Sequence, residues 1–275
     1  MLRSSNPILS KQDAFTPAAP QYGQTPYGQG QYREALGGYQ QVPPPAPVQA
    51  PEGRMTFDDV VTKTAVTMAV LILTAAAAWF AIPDDYMFPA LILSGLVGFV
   101  VVLLVAFRRV VNPALVLVYA AIEGVFIGMI SKYFEGLYDG IVAQAVLGTF
   151  AAAGVTLAAY KFFNIRVTPK FQKIVIMATI SFAVAMLLNF VLSLAGINLG
   201  LRDGGTGPVS ILAVGVALLG AVLAVLNLVL DFDYIEKGVA MGAPARESWR
   251  GAFGLTVTMV WLYIEILRLL SYLRR

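Results

Sequence analysis

The sequence predicts an all-α membrane protein built from seven transmembrane helices. Of its 275 residues, 58% are hydrophobic and 13% are charged, and the mean hydropathy is +0.75. Soluble domains are nearer to half apolar and a quarter charged, so the natural solvent for most of this chain is lipid. Seven apolar segments follow one another, each near or above the roughly 20 residues that cross a bilayer core. They cover residues 61–82, 87–107, 113–134, 139–161, 173–197, 208–231 and 251–273.

Residues 1–54 precede the first span and differ from it in composition. Residues 21–41 are rich in Gln, Gly and Tyr, and residues 42–51 are rich in Pro. Such a segment buries too little apolar surface to offset its chain entropy, so we predict a disordered tail before a membrane domain over residues 55–275. The tail is either a solvated tether or an arm that binds a partner.

The ends of the spans are marked by ordinary helix start and stop residues. Thr56 is a candidate N-cap, with Asp59 three residues later. Pro83, Pro113 and Pro208 stand where spans end or begin. The connections are short, so we expect consecutive helices to pack antiparallel.

Lysines and arginines in the short loops predict the orientation, because these residues are enriched on the cytoplasmic side of membranes. The loops after spans one, three and five carry two of them, Lys132 and Arg202. The loops after spans two, four and six carry nine. We therefore expect a multi-pass protein of the plasma membrane with a cytoplasmic N-terminus. The nine are Arg108, Arg109, Lys161, Arg166, Lys170, Lys173, Lys237, Arg246 and Arg250.

The chain contains no cysteine and no histidine. Disulfides, thiolate metal sites and Ser–His catalysis are therefore excluded. Histidine is also the side chain that most readily titrates near neutral pH. Any proton sensing must use carboxylates, whose charged form is disfavoured by burial. No cofactor is expected, and the identity of any metal ligand is left open.

Four carboxylates lie within or at the ends of the predicted spans, where a charge is costly and indicates a functional site. They are Glu123, Asp231, Asp233 and Glu265. Glu123 lies near the middle of span three without a basic neighbour in its own helix, so we expect it to face the bundle interior. Glu265 shares a helix face with Arg268, which leaves open an ion pair that neutralises itself within span seven.

Asp231 is the residue that we expect to sense protons or to handle an ion. Asp231 and Asp233 are roughly 200° apart on a helical wheel, so they cannot both face the bundle. Asp231 is the deeper of the two and is expected to point inward, whereas Asp233 is expected to be solvated near the headgroups. Asn227, one turn before Asp231, shares its face and is a candidate hydrogen-bond partner.

Three arginines on the same side of the membrane are candidate gate partners for Asp231. They are Arg108, Arg109 and Arg250. A salt bridge from one of them to Asp231 would break when the carboxylate is protonated, giving a pH-gated latch. The alternative is that each arginine only anchors its loop on the cytoplasmic side.

Three segments together resemble the Bax inhibitor family, in its bacterial branch. They are Tyr119–Gly128 in span three, Leu230–Ile235 in span six and Leu262–Leu270 in span seven. The resemblance extends over about residues 56–273. It implies six helices around a central seventh, and some bacterial members are linked to regulation of a membrane protease.

The resemblance also implies a pH-sensitive Ca²⁺ leak controlled by two aspartates, one on span six and one on span seven. By position, Asp231 resembles the first aspartate. Thr258 stands where the second is expected, and it cannot carry that charge. Glu123 resembles an acidic residue that the family often has in span three. The working partner of Asp231 is therefore left open among Asp233, Glu123 and a cytoplasmic arginine.

Taken together, the residues and the resemblance favour a pH-sensitive cation leak without enzymatic activity, with Ca²⁺ as the cation because oxygen ligands suit it. One alternative is a non-catalytic regulator that binds a membrane protease or another membrane protein. A more remote alternative is an intramembrane aspartyl protease, which needs two aspartates that share a proton. The expected partners are the lipid bilayer and a membrane protein, and not nucleic acid.

Overall fold

A computed structural model of the chain describes residues 53–163, 165–197, 199–202 and 209–275. Within these ranges the protein has no β-strand, and seven helices are long and apolar enough to cross a membrane, which confirms the predicted fold class. The predicted disordered tail lies outside the described residues except for Gly53 and Arg54. The helices are α1 (Phe57–Ala81), α2 (Met87–Ala106), α3 (Pro113–Leu137), α4 (Ile141–Phe162), α5 (Pro169–Leu194), α6 (Ile211–Ala240) and α7 (Glu247–Leu273).

Short polar side chains cap several of the helix starts. The hydroxyl oxygen of Thr56 accepts a hydrogen bond of 3.2 Å from the Asp59 N–H, as predicted. Asn112 and Thr168 cap α3 and α5 in the same way, each followed by a proline at the start of the helix. The capping oxygen satisfies a free backbone donor, and the fixed φ of proline suits the first helical turn.

Helix α6 extends further than the hydropathy predicts. The predicted span ends at Asp231, whereas the helix runs on to Ala240. The residues that follow Asp231 contain no proline and no glycine before Gly238, so nothing in them stops the helix. It ends next to Gly242, whose φ of 65° lies in the left-handed region that favours glycine. Asp231 and Asp233 therefore lie inside a helix and not at its end.

Helix α7 lies at the centre of the bundle. Its backbone approaches α1, α3, α4 and α6, while α2 packs against α3 and α5 packs against α6. Its buried positions run from Ser248 to Tyr272, almost its whole length. The expected central seventh helix is therefore present, but four helices surround it directly and α2 and α5 lie further out.

Two glycines of α3 allow α1 to approach closely. A Cβ atom at Gly124 would lie 2.5 Å from the carbonyl oxygen of Leu71, and one at Gly128 would lie 2.5 Å from that of Ala75. Both distances are shorter than any real Cβ contact, and the obstacle is backbone. The Gly-x-x-x-Gly spacing thus sets the distance between α1 and α3.

Gly128→Ala is expected to destabilise the bundle by about 1–3 kcal/mol, the range found for overpacked interiors. Gly136 is a matched control on the same helix, since a Cβ atom there meets no other atom within 4 Å. Gly136→Ala should be neutral or slightly stabilising, because alanine favours the helix over glycine. Thermal unfolding of the two variants in detergent measures the difference, and equal midpoints would contradict the close approach.

Candidate functional site

Asp231 is held against α7 by a hydrogen bond to Thr258. The Thr258 hydroxyl donates to Asp231 Oδ2 at 2.6 Å, and Thr258 is 6% exposed. Gly254 lies one turn before Thr258 on α7, and a Cβ atom there would be only 3.1 Å from Asp231 Oδ1. The carboxylate therefore fits a notch made by Gly254 and Thr258. Asp231 points inward, as expected, and it meets the position at which the resemblance places a second aspartate.

Asp233 is buried, and the prediction that it is solvated was wrong. It is 9% exposed, and the Lys237 ammonium donates to its Oδ2 at 2.6 Å. The extra length of α6 places Asp233 inside the helix, with Lys237 one turn beyond it. On the same stretch of helix, Glu236 accepts a hydrogen bond of 2.5 Å from the Tyr160 hydroxyl of α4. Both carboxylates thus have partners of their own, Asp233 within α6 and Glu236 across to α4.

Asn227 does not bond Asp231, which corrects that prediction. Its amide nitrogen donates to the Thr179 hydroxyl of α5 at 2.7 Å and to the Leu223 carbonyl at 2.8 Å. Because both amide hydrogens are used in this way, none is left to donate to Asp231. Asn227 instead links α6 to α5, one turn away from Asp231.

None of the three candidate gate arginines pairs with Asp231 in the described part of the chain. Arg250 Nε donates to Glu247 at 2.7 Å, and its Nη2 donates to the carbonyl oxygen of Arg109 at 2.7 Å. The side chains of Arg108 and Arg109 are exposed. Arg250 therefore ties the start of α7 to the α2–α3 connection, and the predicted arginine latch on Asp231 is absent there.

Glu123 lies in a different interface from Asp231. It faces α2, where a Cβ atom at Gly98 would come within 2.8 Å of Glu123 Oε2. The expectation that it faces inside the bundle is met, since it is packed between α2 and α3. Asp231 lies between α6 and α7, and the structure does not bring the two carboxylates into contact.

Glu265 is neutralised by Arg202, a residue that the sequence analysis did not assign to the site. Arg202 Nη1 and Nη2 donate to the two carboxylate oxygens of Glu265 at 3.0 and 2.7 Å, and Glu265 is 1% exposed. The Trp261 indole N–H donates to Glu265 Oε1 at 3.3 Å. An ion pair between Glu265 and Arg268 is thus not formed. The signal was available, because a carboxylate inside the membrane needs a countercharge and Arg202 is the sole basic residue between spans five and six.

A cavity of about 790 Å³ lies between α5 and α7 beside this ion pair. It extends from Gly196, near the end of α5, to Thr179, which binds Asn227 of α6. Its polar lining includes Asn189, Ser193, Arg202, Glu265 and Arg268. Thr179 is at the inner end of the cavity, and Asn227, which binds it, lies one helical turn before Asp231.

No group of three or more Asp, Glu, His or Cys side chains is placed to hold a metal ion within the described ranges. Asp231, Asp233, Glu236 and Glu265 instead each have a separate partner.

Seven apolar helices with hydrogen-bonded carboxylates between them define a multi-pass membrane protein with polar groups inside its bundle. Residues 6–275 match the family described as Bax inhibitor 1 like, so the chain belongs to the Bax inhibitor family. A comparison with curated proteins gives no match. The predicted family is confirmed, and the match extends across almost the entire chain.

Proposed function

We propose that this protein is a pH-sensitive cation leak, with Ca²⁺ as the cation, in which Asp231 is the proton sensor. The observation that supports it best is the 2.6 Å hydrogen bond from Thr258 to Asp231 across the α6–α7 interface. A carboxylate accepts such a bond more strongly when ionised. The ionised form therefore holds α6 and α7 together, and protonation loosens them.

The charged and titratable groups on the elements around Asp231 support its selection as the sensor. Within the described residues, those near Asp231 are paired elsewhere or exposed, whereas Glu265 and Arg268 lie about two turns or more beyond Thr258 along α7, so few charges compete with Asp231 for protons. The pairs are Lys63 with Asp59, Tyr160 with Glu236, Lys237 with Asp233, and Arg250 with Glu247, and the exposed groups are Lys170 and Lys173 at the start of α5.

Ca²⁺ flux into liposomes tests the proposal. We expect the wild-type leak to rise as the pH falls, because protonation weakens the bond that holds α6 to α7. Asp231→Asn cannot ionise, so its leak should be independent of pH and close to the low-pH level of the wild type. If Asp231→Asn leaks like the wild type and with the same dependence on pH, then Asp231 is not part of the mechanism.

Thr258→Val should raise the leak at neutral pH, because it removes the donor and leaves the carboxylate in place. Thr256→Val is the matched control on the same helix, since the Thr256 hydroxyl donates to the Ala252 carbonyl within α7. The control should leak like the wild type. Equal flux from the two variants would show that the hydroxyl of Thr258 has no part in closure.

A regulatory function is a second candidate, favoured by the contacts of residues 53–55, where the N-terminal tail joins the membrane domain. The Met55 N–H donates to the Ala243 carbonyl at 2.8 Å, and the Ala245 N–H donates to the Gly53 carbonyl at 2.6 Å. Residues 53–55 are thus paired with the α6–α7 turn, and Met55 is 2% exposed. A partner that pulls on the tail would act on the helix that carries Asp231.

Deletion of residues 1–52 preserves this pairing and separates the two functions. If the tail is a tether only, the leak and its pH profile should be unchanged by the deletion. A change in the leak only when a membrane-protein partner is co-reconstituted would favour the regulator. In either case the protein is proposed to act without catalysis, in the plasma membrane of a bacterium, with its N-terminus in the cytoplasm.

A further inference from the structure

The cavity of about 790 Å³ fills a space between α5 and α7 that opens to the bilayer. Both helices are described over their full lengths, and their backbones do not pack against each other. Helix α6 lies behind the cavity, where a Cβ atom at Gly220 would be 2.9 Å from Phe182 Cζ and 2.8 Å from Glu265 Cδ. No residue of the helices α1 to α4, all of them described, lines it. The side opposite α6 therefore faces lipid.

The two walls of the cavity are in register along its length. The rings of Phe182 and Trp261 face each other with their centroids 5.8 Å apart. About one turn further along both helices, Arg202 lies between Met186 of α5 and Glu265 of α7. The walls thus run parallel, and residues one turn further toward the α5–α6 connection also lie at equal depth.

Arg268 is the cation at that next level, opposite Asn189. Both lie roughly 7 Å short of the ends of their helices. Nη1 of Arg268 is buried and has no hydrogen-bond partner among the described residues. Glu265, the sole carboxylate among the described lining residues, is already bound by Arg202. The lining therefore carries one positive charge in excess, at a depth where a charge needs a partner.

The rest of the lining suits an acyl chain. On α7, Trp261, Ile264 and Arg268 share a half-buried face, whereas Leu262 and Leu267 are buried. This face is apolar and ends in the guanidinium. The volume is within the range of about 300–1,000 Å³ that is usual for ligand sites, which are mostly apolar with a few polar groups. The apolar side chains of the lining include Phe182, Ala183, Met186, Phe190, Trp261 and Ile264.

We propose that this cavity binds an anionic phospholipid from the leaflet at the α5–α6 end of the bundle. Arg268 binds the phosphate, for which the planar guanidinium offers two parallel donors, and the amide of Asn189 is a second donor. The acyl chain enters from the open side and lies along Ile264 and Trp261. Basic pockets between transmembrane helices bind lipid headgroups by the same chemistry. The site does not depend on the proposed leak.

Fluorescence of Trp261 tests the site, because this indole lines the cavity. The full-length chain with Trp79→Phe and Trp249→Phe keeps Trp261 as its sole tryptophan, and it is reconstituted in phosphatidylcholine vesicles. Brominated phosphatidylglycerol, which is anionic, or brominated phosphatidylcholine, which is zwitterionic, is then added in increasing fractions. Bromine on an acyl chain quenches an indole that it contacts. Phosphatidylglycerol should give half-maximal quenching at a several-fold lower mole fraction than phosphatidylcholine.

Arg268→Gln is expected to abolish this preference. The mole fraction of brominated phosphatidylglycerol at half-maximal quenching should rise by up to about tenfold, the change that follows loss of a charged hydrogen bond. Arg166→Gln is the matched control, since Arg166 is exposed in the connection between α4 and α5, on the other side of the membrane. It removes the same charge from the chain and should keep the preference.

Ala183→Phe tests the acyl part of the site without changing any charge. Ala183 lines the cavity, so the added ring occupies the space of the chain and should lower quenching by both lipids. Ala185→Phe makes the same change at an exposed position of α5 outside the cavity and should quench like the parent. This pair decides the result if Arg268→Gln does not fold.

Equal quenching by the two lipids in the parent chain would overturn the proposal, as would an unchanged preference in Arg268→Gln. Equal quenching in Ala183→Phe and Ala185→Phe would show that no chain lies in the cavity. Addition of inorganic phosphate distinguishes a lipid from a soluble ion. A preference that survives millimolar phosphate supports a lipid, and a preference that phosphate removes would overturn it in favour of a soluble anion.

Discussion

Thr258→Asp is expected to reverse the sign of the pH dependence of the leak. In the wild type, the ionised Asp231 accepts the Thr258 hydroxyl at 2.6 Å, so closure is favoured at higher pH. With aspartate at position 258, two carboxylates would face each other at this distance and hold together best when they share one proton. Loss of that proton as the pH rises makes them repel and pushes α6 away from α7. The variant should therefore leak more as the pH rises, by up to about tenfold per pH unit, the limit for one proton.

Thr258→Asn is the matched control for this prediction. Its side chain has nearly the size of aspartate and carries amide hydrogens that can donate to Asp231, but it has no charge. It should keep the wild-type sign, with a leak that falls as the pH rises. Ca²⁺ flux across a pH series compares the two variants in the same liposomes. If both show the same sign, the α6–α7 contact does not control the leak.

Sequence patterns predicted the parts of this structure that depend on one helix at a time. Seven apolar segments of sufficient length have one stable arrangement in lipid, because every backbone polar group must be paired within its own segment. The inward direction of Asp231 follows from helical periodicity in the same way. Its partner was not predicted, because Thr258 was noted only as the residue at the position of the second aspartate, and the partner was left open among Asp233, Glu123 and a cytoplasmic arginine.

Most of the predictions that failed concern a partner from outside the helix in question. Asn227 binds Thr179 of α5, and Glu265 binds Arg202 from a connection, although each has a polar neighbour on its own helix. Which side chain reaches a buried carboxylate depends on the depth and rotation of neighbouring helices, and one sequence does not specify these. The prediction for Asp233 failed for a simpler reason. The apolar segment of span six ends at Asp231, whereas the helix continues to Ala240.

The buried pair of Arg202 with Glu265 should give the second large effect, on stability. Arg202→Met leaves a carboxylate that is 1% exposed without its countercharge, and breaking a buried pair in this way typically costs about 3–5 kcal/mol. Arg268→Met is the matched control on the same cavity, because Arg268 does not bind Glu265. Its effect should be clearly smaller, which thermal unfolding in detergent measures.

The double variant Arg202→Met with Glu265→Gln distinguishes the loss of a favourable pair from the exposure of an unpaired charge. Removing both charges should recover most of the stability lost in Arg202→Met, since replacement of a buried ion pair by uncharged groups is often nearly neutral. Additive losses in the double variant would contradict this account, as would equal losses from Arg202→Met and Arg268→Met. Recovery would mean that the bundle tolerates an uncharged pair at the Arg202 and Glu265 positions, and that the cost of Arg202→Met comes from the unpaired Glu265 carboxylate and not from the loss of a favourable interaction.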